Sequence, residues 1–328
     1  MRAAVCPELG PPEVVRIEDL PSPEVGDGQV RVGVEVAALN FPDVLLVAGT
    51  YQIPADPPFV PGSELAGTVL EVGAGVGHVA VGDPVVGTGL VGAFAEEVVL
   101  AAHAVQRRPP GVDADVGAAS GVTYRTACHV LRSVARLAPG DQLVVLGAGG
   151  GVGSAAVQLG AQMGATVTAV ASSPAKLDVA RHLGATHLVE HRTVDLRRAL
   201  RDLLPDGADV VVDPVGGALS EPALRSLRWG GRFVTVGFAS GEIPRIPLNL
   251  VLLKGVQVLG FQFVDFATHA PDDLARNEAE LAELLASGAV RPHIGATYPL
   301  ERTAEALRLV ADGQAVGKVL IRVAEGER

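Results

Sequence analysis

Cysteine, aromatic residues and basic charge are all scarce in this chain of 328 residues. The two cysteines, Cys6 and Cys128, are too few for a disulfide framework, which predicts reduced thiols. The formal net charge of −11 argues against nucleic acid or an anionic membrane surface as a partner. No apolar run reaches the roughly 18 residues that a membrane-spanning helix needs, and residues 1–5 predict a strand rather than a signal peptide. The sequence therefore predicts a cytoplasmic globular protein.

Hydrophobic residues make up 48% of the chain, enough for a large core and, at this length, for two domains. Short β patterns separated by Gly, Asp and Pro turns fill the first part, for example at 29–37, 65–72, 83–86 and 95–100. This style predicts a small irregular β-barrel. Near the end, a helix at 272–286 precedes a strand at 294–298, a helix at 301–311 and a strand at 318–323. We therefore expect one domain built from 1–120 and 264–328, with a second domain inserted at 121–263.

A glycine loop follows a buried-strand pattern at 143–153, which reads Leu-Val-Val-Leu-Gly-Ala-Gly-Gly-Gly-Val-Gly. Glycines let the backbone approach a phosphate, and the helix predicted at 154–163 directs free N–H groups and a positive dipole end at the anion. The fingerprint is Ala-x-Gly-x-x-Gly, with alanine in place of the first glycine. The residues predicted to cradle a dinucleotide pyrophosphate are Ala148, Gly150, Gly151, Val152 and Gly153.

Strand and helix patterns alternate after this loop. Further strands are predicted at 166–170, 186–189, 209–212, 232–236 and 256–260, and helices at 174–183, 195–203 and 218–227. Such alternation favours parallel strands with right-handed crossovers, so the six strands predict a doubly wound α/β sheet. The alternative is an α/β sheet whose glycine loop is tight but binds nothing.

The end of the second strand indicates which dinucleotide is bound. A site for NAD normally has an Asp or Glu there, about 20 residues after the glycines, for the ribose hydroxyls. This chain has instead two hydroxyls and a cation, Ser172, Ser173 and Lys176. An acid would repel a 2′-phosphate, whereas these groups would hold it, so NADPH is predicted over NADH. The alternative, compatible with the first, is that Ser173 caps a helix and Lys176 is solvated.

Further motifs are spread over nearly the whole chain. They lie at 37–43 (Ala-Ala-Leu-Asn-Phe-x-Asp), 49–51 (Gly-x-Tyr), 58–67 (Pro-Phe-Val-Pro-Gly-Ser-Glu-Leu-Ala-Gly), 236–241 (Val-Gly-Phe-Ala-Ser-Gly) and 317–319 (Gly-Lys-Val). Together with the glycine loop they resemble the zinc-independent quinone oxidoreductase, or zeta-crystallin-like, branch of the medium-chain dehydrogenase/reductase superfamily. The resemblance implies a GroES-like irregular β-barrel domain plus an inserted doubly wound Rossmann domain.

The resemblance also implies that no metal is bound. Zinc-dependent relatives carry a Cys where this chain has Asn40, and Gly-His-Glu where it has Gly62-Ser63-Glu64. They also carry a four-cysteine lobe for a second zinc, which two cysteines cannot form. Without a metal, reduction of a quinone or an α,β-unsaturated carbonyl is favoured over alcohol oxidation, because the conjugated acceptor itself spreads the incoming charge.

Site residues follow from the same resemblance. Asn40 and Tyr51 are the predicted catalytic donors, Asn40 also lying beside the nicotinamide; a turn residue and a packed aromatic are the alternatives. Further predicted cofactor contacts are Thr126, His191, Gly237, Phe238, Phe261, Phe263 and Lys318. His191 stands where relatives often carry a Tyr near the adenosine phosphate. Lys318 could instead be solvated on an edge strand, and the phenylalanines, with Phe266, could form a domain-junction core rather than an acceptor pocket.

The predicted function is NADPH-dependent quinone reduction without metal. An NADPH-dependent enone or enoyl-thioester reductase, and an NADPH-binding protein with little turnover, are the alternatives. Relatives pair the sixth strand of the doubly wound sheet across a two-fold axis, so a homodimer is also expected.

Overall fold

The computed structural model describes residues 1–323 and divides the chain into two compact units. The first comprises Met1–Val122 and the chain from Ile294 onward; the second comprises Thr123–His293. The first predicted boundary differs by two residues, but residues 264–293, predicted to belong to the barrel domain, lie in the second unit. The reason is a helix at Pro271–Ala286, whose Leu281 is buried in the same core as Tyr124 and Leu131.

Elements are labelled here in chain order. Residues 1–122 form β1 (Arg2–Val5), β2 (Arg16–Asp19), β3 (Gln29–Leu39), α1 (Phe41–Val47), β4 (Glu64–Val72), β5 (Pro84–Thr88), β6 (Glu97–Ala101), β7 (Val105–Arg107) and α2 (Ala114–Ser120).

The second unit alternates strands with helices. It contains α3 (Thr123–His129), β8 (Gln142–Leu146), α4 (Gly151–Gln162), β9 (Thr166–Ala171), α5 (Pro174–His182), β10 (His187–Glu190), α6 (Leu196–Leu203), β11 (Ala208–Asp213), α7 (Ser220–Arg225), β12 (Leu227–Thr235), α8 (Leu248–Lys254), β13 (Gln257–Gly260), α9 (Phe263–His269) and α10 (Pro271–Ala286). The chain then returns to the first unit through β14 (Ile294–Pro299), α11 (Thr303–Ala311) and β15 (Lys318–Arg322).

The first unit is the predicted irregular barrel. Its seven-stranded sheet has the order β14-β15-β3-β4-β5-β7, with β6 pairing with β3. Strand β3 alternates half-buried and buried residues over 29–36 and is fully buried from there to its end. It shifts register against β4 at two points, which bends the sheet around its core. Strand β15 pairs with both β14 and β3, so it is an interior strand.

The second unit confirms the predicted doubly wound fold. Its six strands are all parallel, in the order β10-β9-β8-β11-β12-β13. The order reverses between β8 and β11, and ligands of such sheets bind at the carboxyl ends of the strands beside that point. The helix predicted around 218–227 is α7, which ends at Arg225 because buried Leu227 already begins β12 and pairs with Ala208.

Within residues 1–323, no helix combines the length and the apolar character that crossing a membrane would require.

Candidate active site and cofactor loop

The glycine loop joins β8 to α4. Gly147 has a positive φ of 62°, Gly150 is the N-cap of α4, and the Gly150 N–H donates to the Gly147 carbonyl oxygen over 2.9 Å. A Cβ on Gly153 would collide with that same carbonyl group, so the loop closes only with glycine there. The first backbone N–H groups of α4, which include those of Gly151 and Val152, have no intrahelical acceptor. The loop therefore presents donors and a positive helix end to an anion such as a pyrophosphate.

The residues after β9 carry hydroxyls and a cation, as the sequence indicates. The Ser173 hydroxyl caps α5 by accepting the Lys176 N–H over 3.5 Å, so the capping interpretation is confirmed. The Lys176 stem lies across the glycine loop, because a Cβ on Gly149 would lie 2.6 Å from Lys176 Cγ. Burial, and secondarily the Arg192 guanidinium, lower the pKa of Lys176. The stem of this half-buried lysine is thus held over the glycine loop.

His191 follows β10 at the same sheet edge. Its backbone N–H donates to the Ala171 carbonyl oxygen over 3.1 Å, which fixes the backbone of His191 beside the Ser172 segment. Burial lowers the pKa of His191, and the charges of Arg192 and Lys176 lower it further. Arg192 was not among the predicted contacts, although a second basic residue after the third strand is visible in the sequence.

Two further loops begin at this edge of the sheet, one after β11 and one after β12. The Asp213 carboxylate accepts the N–H groups of Val215 and Gly216 over 2.8 Å and the Ser220 hydroxyl over 2.5 Å. Phe238, which follows Gly237, lies against Gly216, where a Cβ would come within 2.9 Å of its ring. This Asp213 turn was not predicted, although the Gly216-Gly217 pair after a strand is its visible signal.

The phenylalanines after β13 form an aromatic cluster within the second unit. Rings of Phe261, Phe263 and Phe266 lie 4.9–6.3 Å from the imidazole of buried His129. The His129 Nδ1 accepts the Asn277 amide over 3.2 Å, and burial lowers the pKa of His129 to about 4. These side chains therefore pack against one another within the second unit. Whether Phe261 and Phe263 also contact a nicotinamide stays a prediction, as it does for buried Thr126 of α3.

Within the first unit, a buried polar network gathers around the Lys318 ammonium. Its Nζ donates to the Leu39 carbonyl oxygen over 2.9 Å, to Asn40 Oδ1 over 2.8 Å and to Glu64 Oε1 over 2.5 Å. Lys318 is 2% exposed and Glu64 is 1% exposed. An ammonium has three N–H donors, and all three are used.

This network corrects two predictions. The Asn40 amide donates to Glu64 Oε1 over 2.8 Å and to Ser63 Oγ over 3.2 Å, so neither of its hydrogens is available to an acceptor carbonyl. Lys318 is neither solvated nor on an edge strand, and it has no donor left for a cofactor. Asn40 is also the N-cap of α1, and the Glu64 carboxylate accepts the Val122 backbone N–H at Oε2 over 2.6 Å.

Asp43 completes the network below Asn40. One carboxylate oxygen accepts the Asn40 N–H over 2.7 Å as part of a capping box. The other, Oδ1, is buried without a hydrogen-bond partner. Burial raises the pKa of Asp43 to about 7, against the lowering effect of the Asn40 N–H and the Ser63 hydroxyl. The site thus contains one fixed cation, the Glu64 carboxylate and a second, weakly acidic carboxyl.

Tyr51 is not hydrogen-bonded to this network. Its N–H donates to the Leu45 carbonyl oxygen over 3.2 Å in the loop after α1, and its side chain is half-buried. Among the described residues no hydrogen bond involves its hydroxyl, so its predicted role as a donor stays a prediction. Across residues 1–323, His, Cys, Asp and Glu side chains form no group of three or more that could hold a metal ion.

Two family models match the chain. The "Alcohol dehydrogenase GroES-like domain" model matches residues 26–110, and the "Zinc-binding dehydrogenase" model matches residues 151–282. The chain is 36% identical to quinone oxidoreductase-like protein 2 homolog of Nematostella vectensis, over 98% of this chain and 88% of that protein.

Solved structures agree with the sequence match. The structure of Escherichia coli quinone oxidoreductase complexed with NADPH aligns with a TM-score of 0.92 at 26% identity, covering 98% of this chain and 100% of the other. A mycobacterial protein complexed with NADPH aligns with a TM-score of 0.91 at 30% identity, over 98% and 100% of the two chains. The chain therefore belongs to the quinone oxidoreductase-like, zinc-independent branch of the medium-chain dehydrogenase/reductase superfamily and is an oxidoreductase of that family.

Proposed function

We propose that this protein is an NADPH-dependent reductase of quinones or related conjugated carbonyl compounds and that it works without a metal. One observation carries the choice of cofactor. At the carboxyl end of β9, where a carboxylate would select NADH, the chain places Ser172, Ser173 and a lysine held over the glycine loop. The NADPH complexes of similar structures support the same choice.

The residues present fit NADPH. The N–H groups at the start of α4 would hold the pyrophosphate, and Lys176 with the two serines would hold the 2′-phosphate. When bound, the cofactor supplies a hydride to the acceptor. The protein contributes orientation and exclusion of water, and the Tyr51 hydroxyl donates a hydrogen bond to the acceptor oxygen.

The Lys318 network supports a metal-free reaction. The positions that carry zinc-ligating Cys and His in zinc-dependent relatives are Asn40 and Ser63, and both donate or accept hydrogen bonds inside this network. The ammonium already compensates Glu64, so no cation is needed to neutralise that carboxylate. We expect the purified protein to be active in the presence of a chelator.

A panel of acceptors distinguishes the alternatives. NADPH oxidation is followed by the absorbance of the reduced nicotinamide with 1,4-benzoquinone, 9,10-phenanthrenequinone, simple enones and crotonyl-CoA. Quinone reduction predicts the highest kcat/KM for the two quinones. A preference for enones or for crotonyl-CoA would identify an enone or enoyl-thioester reductase instead. Tight NADPH binding without turnover of any acceptor would leave a binding protein.

The cofactor assignment predicts how Lys176→Ala behaves. We expect the wild-type chain to bind NADPH at least about tenfold more tightly than NADH, which is about 1.4 kcal/mol. Lys176→Ala should weaken NADPH binding much more than NADH binding, because only NADPH carries the 2′-phosphate. Calorimetric titration of both cofactors measures this, with Lys254→Ala at the end of α8 as the matched control. Equal losses for the two cofactors would show that Lys176 does not recognise the phosphate.

The proposed donor role of Tyr51 predicts a substrate-dependent effect. Tyr51→Phe should lower the kcat for an enone by roughly tenfold, since one hydrogen bond to developing charge is lost in a site that water can enter. A readily reduced quinone should lose less, because it stabilises the charge it receives. Tyr298→Phe on β14 is the control and should leave both rates unchanged. If Tyr51→Phe also left both unchanged, Tyr51 would be a packing residue.

Exposed apolar side chains near β13 favour a homodimer. β13 is the last strand of the sheet, and Trp229, Leu252 and Leu253 beside it are 83%, 80% and 76% exposed. Edge pairing across a two-fold axis would cover these side chains and join two six-stranded sheets. Light scattering at micromolar concentration should give twice the chain mass of 33.6 kDa, and Leu253→Glu should shift it towards the monomer. Val81→Glu, at an exposed apolar residue of the first unit, should leave the mass unchanged, and a wild-type monomer would contradict the expectation.

A further inference from the structure

A single buried carboxylate organises the turn that follows β11. Asp213 is completely buried; its Oδ1 accepts the backbone N–H groups of Val215 and Gly216, and its Oδ2 accepts the Ser220 hydroxyl at the start of α7. Gly216 has a φ of 73° and a ψ of −156°, a backbone conformation that is essentially restricted to glycine. Three hydrogen bonds to one side chain therefore hold the turn in a conformation that the backbone alone would not favour.

The turn is joined to the loop that follows β12. The Ser240 N–H donates to the Val215 carbonyl oxygen over 2.9 Å, and the Gly217 N–H donates to the Glu242 carbonyl oxygen over 3.0 Å. These bonds tie two loops from neighbouring strands into one unit, so a change in the first loop reaches the second. The two segments, called the paired loops below, are 214–217 and 238–242.

The paired loops also touch the glycine loop. A Cβ added to Gly147 would lie 2.7 Å from Val215 Cγ2, so the Val215 side chain packs directly on the turn that ends β8. The strand order reverses between β8 and β11, and doubly wound sheets bind their ligands at this reversal point. Asp213 thus holds a turn that borders the ligand-binding edge of the sheet.

The order of the strands indicates which part of a dinucleotide reaches the paired loops. The proposed function assigns the adenosine half to the end of β9 and the pyrophosphate to the glycine loop after β8. A dinucleotide lies across the reversal point, with one half over each side of the sheet. Since β9 lies on one side of β8, and β11 and β12 lie on the other, the nicotinamide half lies over the paired loops.

We propose that Asp213 is a positioning residue for the nicotinamide half of NADPH, because its three hydrogen bonds order the paired loops before the cofactor binds. The inference rests on the proposed function, which supplies the cofactor and its direction on the sheet. Asp213 is completely buried, so it acts through the backbone of Val215 and Gly216. Loops that are already ordered are not ordered at the expense of binding free energy. Loss of Asp213 should therefore weaken binding of this half of the ligand alone.

Two substitutions separate the hydrogen bonds of Asp213 from its charge. Asp213→Asn keeps the Oδ1 acceptor for the two backbone N–H groups, and its amide can donate to Ser220 Oγ, so the charge is lost and the turn is kept. Asp213→Ala removes all three acceptors and leaves their donors buried without partners. Asp209→Ala is the matched control, because Asp209 is also buried, lies near the opposite end of β11 and accepts the Gln142 N–H over 2.8 Å.

The measurement compares two ligands by titration calorimetry, at a temperature where circular dichroism shows each variant to be folded. NADPH carries both halves, whereas adenosine 2′,5′-bisphosphate carries only the adenosine half. The Kd of the bisphosphate divided by the Kd of NADPH therefore reports the contribution of the nicotinamide half. A general loss of stability does not change this ratio, since both ligands bind the same folded unit.

We expect Asp213→Ala to lower the ratio at least about tenfold, with little change in the Kd of the bisphosphate. Asp213→Asn should stay within about threefold of wild type, because the turn keeps its hydrogen bonds. Asp209→Ala should lower the unfolding midpoint and leave the ratio unchanged. Ser220→Ala removes one hydrogen bond of the three and should lower the ratio about two- to threefold, which provides the test if Asp213→Ala does not fold.

An unchanged ratio in Asp213→Ala and Ser220→Ala, or an equal loss of affinity for both ligands, would overturn the inference and leave the proposed function intact. A loss in Asp213→Asn as large as that in Asp213→Ala would also overturn it, because the charge and not the hydrogen bonds would then be responsible. If the wild type bound NADPH no more tightly than the bisphosphate and oxidised no NADPH with any acceptor of the panel, the proposed function and the inference would both be wrong.

Discussion

Lys318→Met should lower the free energy of unfolding by about 3–5 kcal/mol, the range for breaking a buried ion pair from one side. The substitution leaves the buried Glu64 carboxylate without its cation and removes the donor to Asn40 Oδ1 and to the Leu39 carbonyl oxygen. Methionine has a similar length, so the loss comes from charge and hydrogen bonds rather than from a cavity. The midpoint of urea unfolding, followed by circular dichroism, measures the effect.

Two further variants identify the cause. Lys254→Met changes the same residue type at a site that is not buried and should cost less than about 1 kcal/mol. The double variant Lys318→Met with Glu64→Gln should recover part of the loss, because no uncompensated charge is left inside. A Lys318→Met protein as stable as wild type would show that the ammonium does not hold the network together.

Gly153→Ala should abolish measurable NADPH binding, a loss of at least about a hundredfold or 2.7 kcal/mol. The added Cβ would collide with the Gly147 carbonyl group, whose oxygen accepts the Gly150 N–H, so the loop must open to admit the methyl group. An opened loop no longer directs the N–H groups of the first turn of α4 at the pyrophosphate. Titration calorimetry with NADPH measures the effect.

Gly150→Ala is the matched control for the fold of the loop. Its Cβ would lie 3.5 Å from the same Gly147 oxygen, an ordinary contact, and Gly150 has a φ of −93° that alanine adopts readily. This variant should keep the wild-type unfolding midpoint, whereas Gly153→Ala should lower it. Wild-type NADPH affinity in Gly153→Ala would contradict the assignment of this loop to the pyrophosphate.

Local patterns predict the second unit well. Each predicted strand of the doubly wound sheet overlaps an observed one, because buried parallel strands and their glycine loops are written in short, continuous stretches of sequence. The residues after β8, β9 and β10 reach one edge of the sheet for the same reason: parallel strands all end there.

Contacts between distant parts of the chain could not be predicted in this way. Lys318 and Glu64 are 254 positions apart, and only the pairing of β15 with β3 and of β3 with β4 brings them together. A lysine at the start of an apolar strand has the pattern of a solvated residue, so the neighbouring sequence does not predict that Lys318 is buried. The same applies to α10, whose amphipathic pattern does not tell which unit it packs against; Asn277 and Leu281 settle this through contacts with α3 and its core.

We propose that this chain transfers reducing equivalents from NADPH to a conjugated carbonyl compound without a metal. The most direct measurement is the anaerobic rate of NADPH oxidation with 9,10-phenanthrenequinone in buffer containing a metal chelator, compared with the rate for NADH and without protein. The account predicts turnover well above the protein-free rate, unaffected by the chelator, with a kcat/KM at least about tenfold higher for NADPH than for NADH. Turnover that is lost in chelator and restored by zinc, or an equal or higher kcat/KM for NADH, would contradict it.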